Sequence, residues 1–141
     1  MRFTRPLTEN RDFKRLYNKA GSVVSPYLVV YIKKNSPAVL RPSSGMCRKM
    51  RKVKNSVRET HPINRLGITV SKKIGNAVQR NRARRVLKEA YRSIEGLLIP
   101  GYDIVIVART RVLSKKSTDL SKILYDICVK CGVAKAEWDL K

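Results

Sequence analysis

The sequence predicts a small α+β protein, an α/β sandwich whose elements follow the order helix, strand, strand, strand, helix, strand, helix. Three observations support this fold class. The 141 residues are enough for one domain with a modest core, which we expect to span residues 1–141. Hydrophobic residues make up 43% of the chain, an ordinary share for a globular protein. Stretches with helical periodicity alternate with stretches that have the periodicity of strands.

Residues 8–20 have the apolar spacing of a short helix. Thr8 is predicted to cap its start, and Gly21 is predicted to end it. The apolar positions recur at i, i+3, i+4 and i+7, and they are Phe13, Leu16, Tyr17 and Ala20.

Residues 27–33 alternate as a strand. The alternation places one set of side chains on one face and a second set on the other. The first set is Tyr27, Val29 and Tyr31, and the second is Leu28, Val30 and Ile32.

Residues 35–64 lack either periodicity. Proline, serine and glycine interrupt the first half, and a basic run with no acid before Glu59 occupies the second. We interpret this stretch as a long, basic, mobile connection rather than a second domain.

The second half of the chain predicts two strands and two helices. Residues 66–70 alternate as a strand, and residues 102–108 are apolar apart from Asp103, as in a buried strand. The middle helix has an apolar stripe of Ala83, Val86, Leu87, Ala90, Tyr91 and Ile94. The last helix follows Ser117, stops at Gly132 and has a stripe of Leu120, Ile123, Leu124, Ile127, Cys128 and Cys131.

The charge is far from ordinary. Lys and Arg number 32 against 10 Asp and Glu, for a formal net charge of +22 and a pI of about 10.6. Such a domain repels itself unless a polyanion neutralises it, and nucleic acid is the commonest polyanionic partner. A polybasic membrane-surface protein is the alternative, but we find neither a membrane-spanning apolar run nor a secretory signal, and we expect a cytoplasmic protein.

The basic residues concentrate around the start of the middle helix, in residues 71–85, which contain no acid. Asn76 is the expected N-cap after a turn at Gly75, so Arg80 and Arg82 fall in the first two turns. Cations are disfavoured there by about 0.3–1 kcal/mol each, because the free N–H groups already make that end positive. The arrangement is therefore typical of a phosphate site. The alternative is a solvated face, but such faces usually mix charge signs, and this helix offers only Glu89 before Glu95.

Residues 67–85 match a longer pattern. The run from Gly67 through Ser71-Lys72-Lys73 and Gly75-Asn76 to Arg80-Asn81-Arg82 resembles the signature of the bacterial ribonuclease P protein family. Asp12-Phe13 and the strand ending at Tyr31 also resemble that family, as does the order of the last elements. The resemblance covers the chain apart from residues 35–63.

The resemblance implies a protein subunit that binds the catalytic RNA and the 5′ leader of precursor tRNA, and assists endonucleolytic removal of the leader. It implies a left-handed βαβ crossover in the fold. It places the RNA subunit against Lys72, Lys73, Asn76, Arg80, Asn81, Arg82, Arg84 and Arg85. It places the leader in a cleft lined by Phe13, Tyr17 and Tyr31.

The aromatic assignment also has physical support. Phe13 and Tyr17 are one helical turn apart, and Tyr27 and Tyr31 share a strand face. Aromatic rings beside cations are what sequence-tolerant stacking of unpaired bases requires. The alternative for Phe13 and Tyr17 is a place in the core, which we accept for Leu16.

Two features depart from the family pattern. Glu9 stands near the expected leader path, where the family often carries a basic residue. The connection at residues 35–64 is longer than the compact linker that we expect, and it is either a further RNA-contacting arm or a disordered solubility segment.

The sequence offers no catalytic or metal-binding set of its own. His61 is the single histidine, and the ten acids are scattered. Cys128 and Cys131 have the spacing of a redox pair, but their place on the apolar stripe favours packing. We therefore expect Mg²⁺ and the hydrolytic chemistry on the RNA subunit, with no catalytic residue, metal or obligate protein partner in this chain. A structural RNA binder of another family is the second hypothesis.

Overall fold

A five-stranded mixed sheet organises the protein. The computed structural model describes residues 4–35 and 63–135. The strands are β1 (Thr4–Pro6), β2 (Gly21–Val24), β3 (Leu28–Lys34), β4 (Asn64–Thr69) and β5 (Tyr102–Ala108). Their order across the sheet is β1-β4-β5-β3-β2, with β1, β4 and β5 mutually parallel and β3 and β2 antiparallel to their neighbours.

Within the described residues, three helices cover the two faces of the sheet: α1 (Asn10–Lys19), α2 (Ala77–Ile94) and α3 (Ser117–Lys130). There are also short 3₁₀ turns: Lys72–Ile74 follows β4, Glu95–Leu97 follows α2, and Thr110–Ser114 follows β5. The main core lies between the sheet and the helix pair α2 and α3, where Leu28, Ile106 and Leu87 are fully buried. A smaller core lies on the opposite face, where Leu16 of α1 packs with Leu7 and Val105.

The predicted α+β sandwich is confirmed, and α2, β5 and α3 lie where the periodicity places them. The 14-residue helix α3 ends as predicted, because Gly132 has a φ of 72° and the amide of Val133 bonds the carbonyl of Cys128 at 2.9 Å. The strand predicted at residues 27–33 begins and ends one residue later. β4 and β5 are parallel neighbours joined through α2, so a βαβ unit is present; its left-handedness stays a prediction.

Four details of the sequence interpretation were wrong. Helix α1 begins at Asn10 with Glu9 as N-cap, rather than Thr8, and no side chain caps it. The helix ends as predicted, with Ala20 as C-cap and Gly21 as the C′ residue, but strand β2, which begins at Gly21, was missed because its exposed edge position hides the usual apolar alternation. β1 was missed because three residues carry no period. Cys131 lies just beyond α3 and is exposed, so of this predicted pair Cys128 alone packs in the core.

Most of the basic connection predicted at residues 35–64 falls outside the described residues. Its two ends are described, and Asn35 donates from Nδ2 to the carbonyl of Ile63 at 2.8 Å. The alternatives for that connection, and the extent of the domain over residues 1–141, stay predictions.

Candidate nucleic-acid interface

The predicted helix start is built around Gly75 and Asn76. Gly75 has a φ of 148°, and a Cβ at this position would lie 1.7 Å from Oε1 of Gln79, so only glycine fits the turn. Asn76 then caps α2 as predicted. Its Oδ1 accepts from the amide of Gln79 at 3.0 Å, and Gln79 Oε1 accepts from the amide of Asn76 at 3.1 Å. This reciprocal capping box fixes the direction in which the helix leaves the turn.

The cations of this helix start point into solvent. Lys72 and Lys73 of the preceding turn are exposed, and so are Arg82, Arg84 and Arg85 on α2, together with Asn81. Arg80 is half-buried, and its Nε is shielded from solvent without a hydrogen-bond partner among the described residues. The nearest acid along α2 is Glu89, which lies 4.0 Å from Arg92. The surface therefore presents cations that the helix itself leaves unneutralised, the arrangement that suits an external anion.

The three aromatic side chains predicted to line a cleft meet on the opposite face of the sheet. The ring centroids of Phe13 and Tyr17 are 6.5 Å apart, and those of Tyr17 and Tyr31 are 5.1 Å apart in an edge-to-face arrangement. Tyr17 is 39% exposed, whereas Leu16 is buried at 1% and belongs to the core as expected. An accessible aromatic cluster of this kind offers faces and edges on which unpaired bases can stack.

Two contacts set the positions of these rings. The Phe13 ring lies against Gly67 of β4, where an added Cβ would come within 2.5 Å of it. The Tyr17 hydroxyl hydrogen-bonds the hydroxyl of Thr69 at the end of the same strand, at 3.0 Å. Thr69 precedes Lys72 by three residues, so the end of β4 connects the aromatic cluster to the cationic helix start.

Tyr27 does not join this cluster, although the alternation placed it on the face of Tyr31. It precedes the first residue of β3, in a turn held by Ser25, whose hydroxyl accepts from the amides of Tyr27 and Leu28 at 3.3 and 3.1 Å. The ring packs against the main core instead. Its partner is Lys115, whose Nζ lies 5.0 Å from the ring centroid.

A buried ion network beside the aromatic cluster was missed from the sequence. Arg65 of β4 donates from Nε to Oδ1 of Asp103 at 2.7 Å and from Nη1 to Oδ2 of Asp12 at 3.0 Å. Asn35 adds a hydrogen bond to Asp103 at 3.3 Å. The hydrogen bond with Asp103 raises the pKa of Arg65, so the guanidinium stays charged. Asp12 directly precedes Phe13, and this network therefore fixes α1 against β4 and β5.

The sequence carried one weak signal of this network: Asp12 is an acid inside an otherwise basic helix. Its partners could not be found from spacing, since Arg65 lies 53 residues further along the chain and Asp103 a further 38. Glu9, the other acid near α1, is exposed and pairs with Arg11 at 3.4 Å. A surface pair of this kind contributes little to stability.

The remaining candidates for chemistry are outside the interface. Burial raises the pKa of the Cys128 thiol to about 12, so this group remains protonated and serves packing. Over residues 4–35 and 63–135, His, Cys, Asp and Glu side chains form no group of three that could hold a metal ion. Within the same ranges, no helix has the length and apolar character needed to cross a membrane.

Comparison with protein families decides what this arrangement belongs to. The family model for ribonuclease P proteins matches residues 1–132. The chain belongs to the ribonuclease P protein family. A curated relative, the ribonuclease P protein component of Clostridioides difficile, is 35% identical over 134 residues, covering 93% of this chain and 95% of the relative. Another, from Carboxydothermus hydrogenoformans, is 38% identical over 118 residues, covering 84% of this chain and 80% of the relative.

Solved structures agree with the family membership. The RNase P protein of Staphylococcus aureus matches with a TM-score of 0.67 and 26% identity, over 92% of this chain and 97% of that chain. The RNase P protein of Thermotoga maritima matches with a TM-score of 0.63 and 25% identity, over 87% of this chain and 94% of that chain. The family resemblance inferred from residues 67–85 is thus confirmed over nearly the whole chain.

Proposed function

We propose that this chain is the protein subunit of ribonuclease P in the bacterial cytoplasm. It binds the catalytic RNA and the 5′ leader of precursor tRNA, and it assists endonucleolytic removal of the leader to leave the mature 5′ end with a phosphate. The observation that carries the proposal is the pairing of two surfaces in a member of this family. An unneutralised cationic helix start and an accessible aromatic cluster are joined by one strand, β4.

The cationic surface is assigned to the RNA subunit. This surface comprises the residues around the start of α2, which are Lys72, Lys73, Asn76, Arg80, Asn81, Arg82, Arg84 and Arg85. Arginine forks bind phosphate oxygens in pairs and stack on bases, so this surface suits folded RNA with closely spaced phosphates. The cations would lower the repulsion between the RNA subunit and its RNA substrate, which helps both to approach.

The aromatic cluster is assigned to the leader. Phe13, Tyr17 and Tyr31 can stack on unpaired bases regardless of their identity, at about 1–3 kcal/mol per base. Binding the leader away from the scissile bond contributes to catalysis only if it also positions that bond, and the rigid seat of Phe13 on Gly67 provides a fixed reference for such positioning.

The chemistry itself is assigned to the RNA. The acids beside the aromatic cluster, Asp12 and Asp103, are both bound by Arg65 and do not fit a site for Mg²⁺. We therefore place the Mg²⁺ that the family reaction requires on the RNA subunit, and no catalytic residue on this chain. The role of the protein is to bind, orient and neutralise.

The test combines the protein with a bacterial RNase P RNA at low Mg²⁺ concentration and measures cleavage of a precursor tRNA. We expect strong stimulation over the RNA alone, and no cleavage by the protein alone. Absence of stimulation would contradict the proposal and favour a structural RNA binder. Cleavage by the protein alone would contradict the assignment of the chemistry to RNA.

The leader assignment has its own test, which uses Phe13→Ala and two substrates. One substrate carries a full 5′ leader, and the other carries a leader of one or two nucleotides. We expect the variant to lose about 5- to 150-fold in affinity for the first, the equivalent of one stacked base, and to bind the second as the unchanged protein does. Equal losses on both substrates would show that Phe13 acts through folding rather than through the leader.

A further inference from the structure

The segment that follows β5 carries a second concentration of positive charge. Arg109, Arg111, Lys115 and Lys116 fall within eight residues, and residues 104–118 contain no acid. The apolar side chains of the same segment hold it in place, because Val112 is buried at 1% and Leu113 packs against the main core. Arg109 and Arg111 consequently face solvent on a turn that is anchored to the fold.

The topology brings this segment beside the cationic helix start. β4 and β5 are parallel neighbours, so their carboxyl ends lie at the same edge of the sheet. The turn with Lys72 and Lys73 follows β4, the turn with Arg109 and Arg111 follows β5, and these two turns pack against each other. Two basic segments thus adjoin one another, although Lys73 and Arg109 are 36 residues apart in sequence.

The turn before β3 completes the edge and shapes a groove. Arg109 donates from its amide to the carbonyl of Tyr27 at 3.0 Å and from Nη1 to the carbonyl of Ser25 at 3.2 Å. An open groove of about 450 Å³ lies beside this turn. Arg109 and Arg111 line one side of the groove, and Val24, Ser25 and Pro26 line the other. Lys115 lies over the ring of Tyr27, the residue that follows Pro26, with its Nζ 5.0 Å from the ring centroid.

No acid is available in the segments that meet at this edge. Residues 20–35, 69–80 and 104–118 are all free of Asp and Glu. The cations on these segments therefore adjoin one another with no carboxylate on the segments themselves, and an external anion with several charges would relieve their mutual repulsion. Apart from the two arginines, the groove is lined by the small residues Val24, Ser25 and Pro26, which leave room for a phosphate backbone to approach.

We propose that Arg109, Arg111 and Lys115 form an additional contact surface for the phosphate backbone of the RNA subunit, continuous with Lys72 and Lys73. This inference rests on the proposed function. The RNA subunit is favoured over the leader because the surface adjoins the start of α2, and its aromatic residue, Tyr27, packs on the α2 side of the sheet. The aromatic cluster assigned to the leader lies on the other face of the sheet, where α1 packs.

The test is the salt dependence of binding to the RNase P RNA, measured with the full chain at a series of KCl concentrations. Arg109→Gln/Arg111→Gln removes two charges from the proposed surface. Lys130→Gln/Lys135→Gln removes two exposed charges: Lys130 is the last residue of α3, about 20 Å along that helix from Ser117, and Lys135 follows the helix. The change in net charge is identical, so only a local contact can separate the two pairs.

We expect the Arg109/Arg111 pair to reduce the slope of log K against log salt by roughly 1–2, because each lost phosphate contact contributes about 0.7–0.9. The Lys130/Lys135 pair should leave the slope close to that of the unchanged protein. Arg111→Gln alone should give about half of the reduction, and it leaves the bond from Arg109 to Ser25 in place. Equal slopes for the two pairs would overturn the inference, as would a loss confined to precursor tRNA.

The test of this surface and the test of the proposed function can fail independently of each other. If the unchanged protein stimulates cleavage while the two pairs behave alike, the function stands and the additional surface does not. If the unchanged protein fails to stimulate cleavage but the Arg109/Arg111 pair still loses slope on the RNA, the surface stands and the function does not. Thermal unfolding of each variant establishes that the slopes are compared between folded proteins.

Discussion

Positive charge is distributed in opposite ways at the two edges of the sheet, the edge where β4 and β5 begin and the edge where they end. At the first edge, Arg65 is 13% exposed and is held by Asp12 and Asp103, with Asn35 as a further partner of Asp103. At the second edge, the turns that follow β4 and β5 carry exposed cations, and their segments contain no acid. Arginine is thus buried and paired at one end of the two strands and exposed at the other. We call the first the enclosed edge, and the second, together with the start of α2, the open edge.

Burial explains the difference. A guanidinium that loses water must receive charge and hydrogen bonds from the protein, or folding is strongly disfavoured. An exposed guanidinium keeps its water until an anion replaces it, and it has little effect on stability in the meantime. Two acids of the chain, Asp12 and Asp103, therefore lie where a cation is buried, whereas the segments that follow β4 and β5 contain none. Arg80, half-buried with an Nε that has no partner within the described ranges, is intermediate between the two cases.

The largest expected effect comes from breaking the enclosed edge. Asp103→Ala removes two of the hydrogen bonds of Arg65 and leaves a nearly buried cation with Asp12 alone. We expect a loss of about 3 kcal/mol in the free energy of unfolding, the lower end for removing one member of a buried pair, because Asp12 remains. Urea unfolding measures this loss. Asp119→Ala, which removes an exposed acid from the first turn of α3, should change stability by less than about 0.5 kcal/mol; equal effects would contradict the comparison.

The open edge should respond in the reverse way. Arg82→Ala removes an exposed cation, so the free energy of unfolding should change by less than about 0.5 kcal/mol. Affinity for the RNase P RNA should fall by up to about tenfold, with a salt slope smaller by about 0.7–0.9. Arg92→Ala is the control, since Arg92 lies on the same helix near Glu89. If Arg92→Ala reduced the slope as much as Arg82→Ala, the helix start would have no special role.

The open edge was largely accessible to sequence analysis because it is local. Gly75, Asn76 and the arginines of the first turns of α2 lie within about ten residues, and their roles follow from helix geometry alone. The stripe of α2, the burial of β5 and the cap at Asn76 are likewise properties of one continuous segment. The aromatic cluster needed more: the spacing of Phe13 and Tyr17 shows one helical turn, but only the family resemblance joined them to Tyr31 before the fold did.

The enclosed edge was inaccessible because its partners are distant in sequence. Arg65, Asp12 and Asp103 come from β4, α1 and β5, and no periodicity connects them. β1 was hidden for the same reason, since its pairing with β4 joins Thr4 to Asn64 across 60 residues. The contact between the turn that follows β4 and the turn that follows β5 also required the parallel pairing of these two strands. Tyr27 shows a different failure: period-2 alternation is informative only inside a strand, and β3 begins one residue later.

A smaller change separates the shape of the open edge from its charge. Asn76→Ala removes the capping box without removing a cation, and we expect a loss of about 1 kcal/mol in the free energy of unfolding. The first turn of α2 should then fray, which displaces Arg80 and Arg82 and weakens binding to the RNase P RNA. The salt slope should stay the same, because the displaced arginines have long side chains that can still neutralise the same number of phosphates. Asn76→Ser retains a capping oxygen and should restore most of both losses. Suppose that Asn76→Ala instead lowers the slope as Arg82→Ala does. In that case the arginines would contact phosphates only when the cap holds them in place, and they would not act through their overall charge.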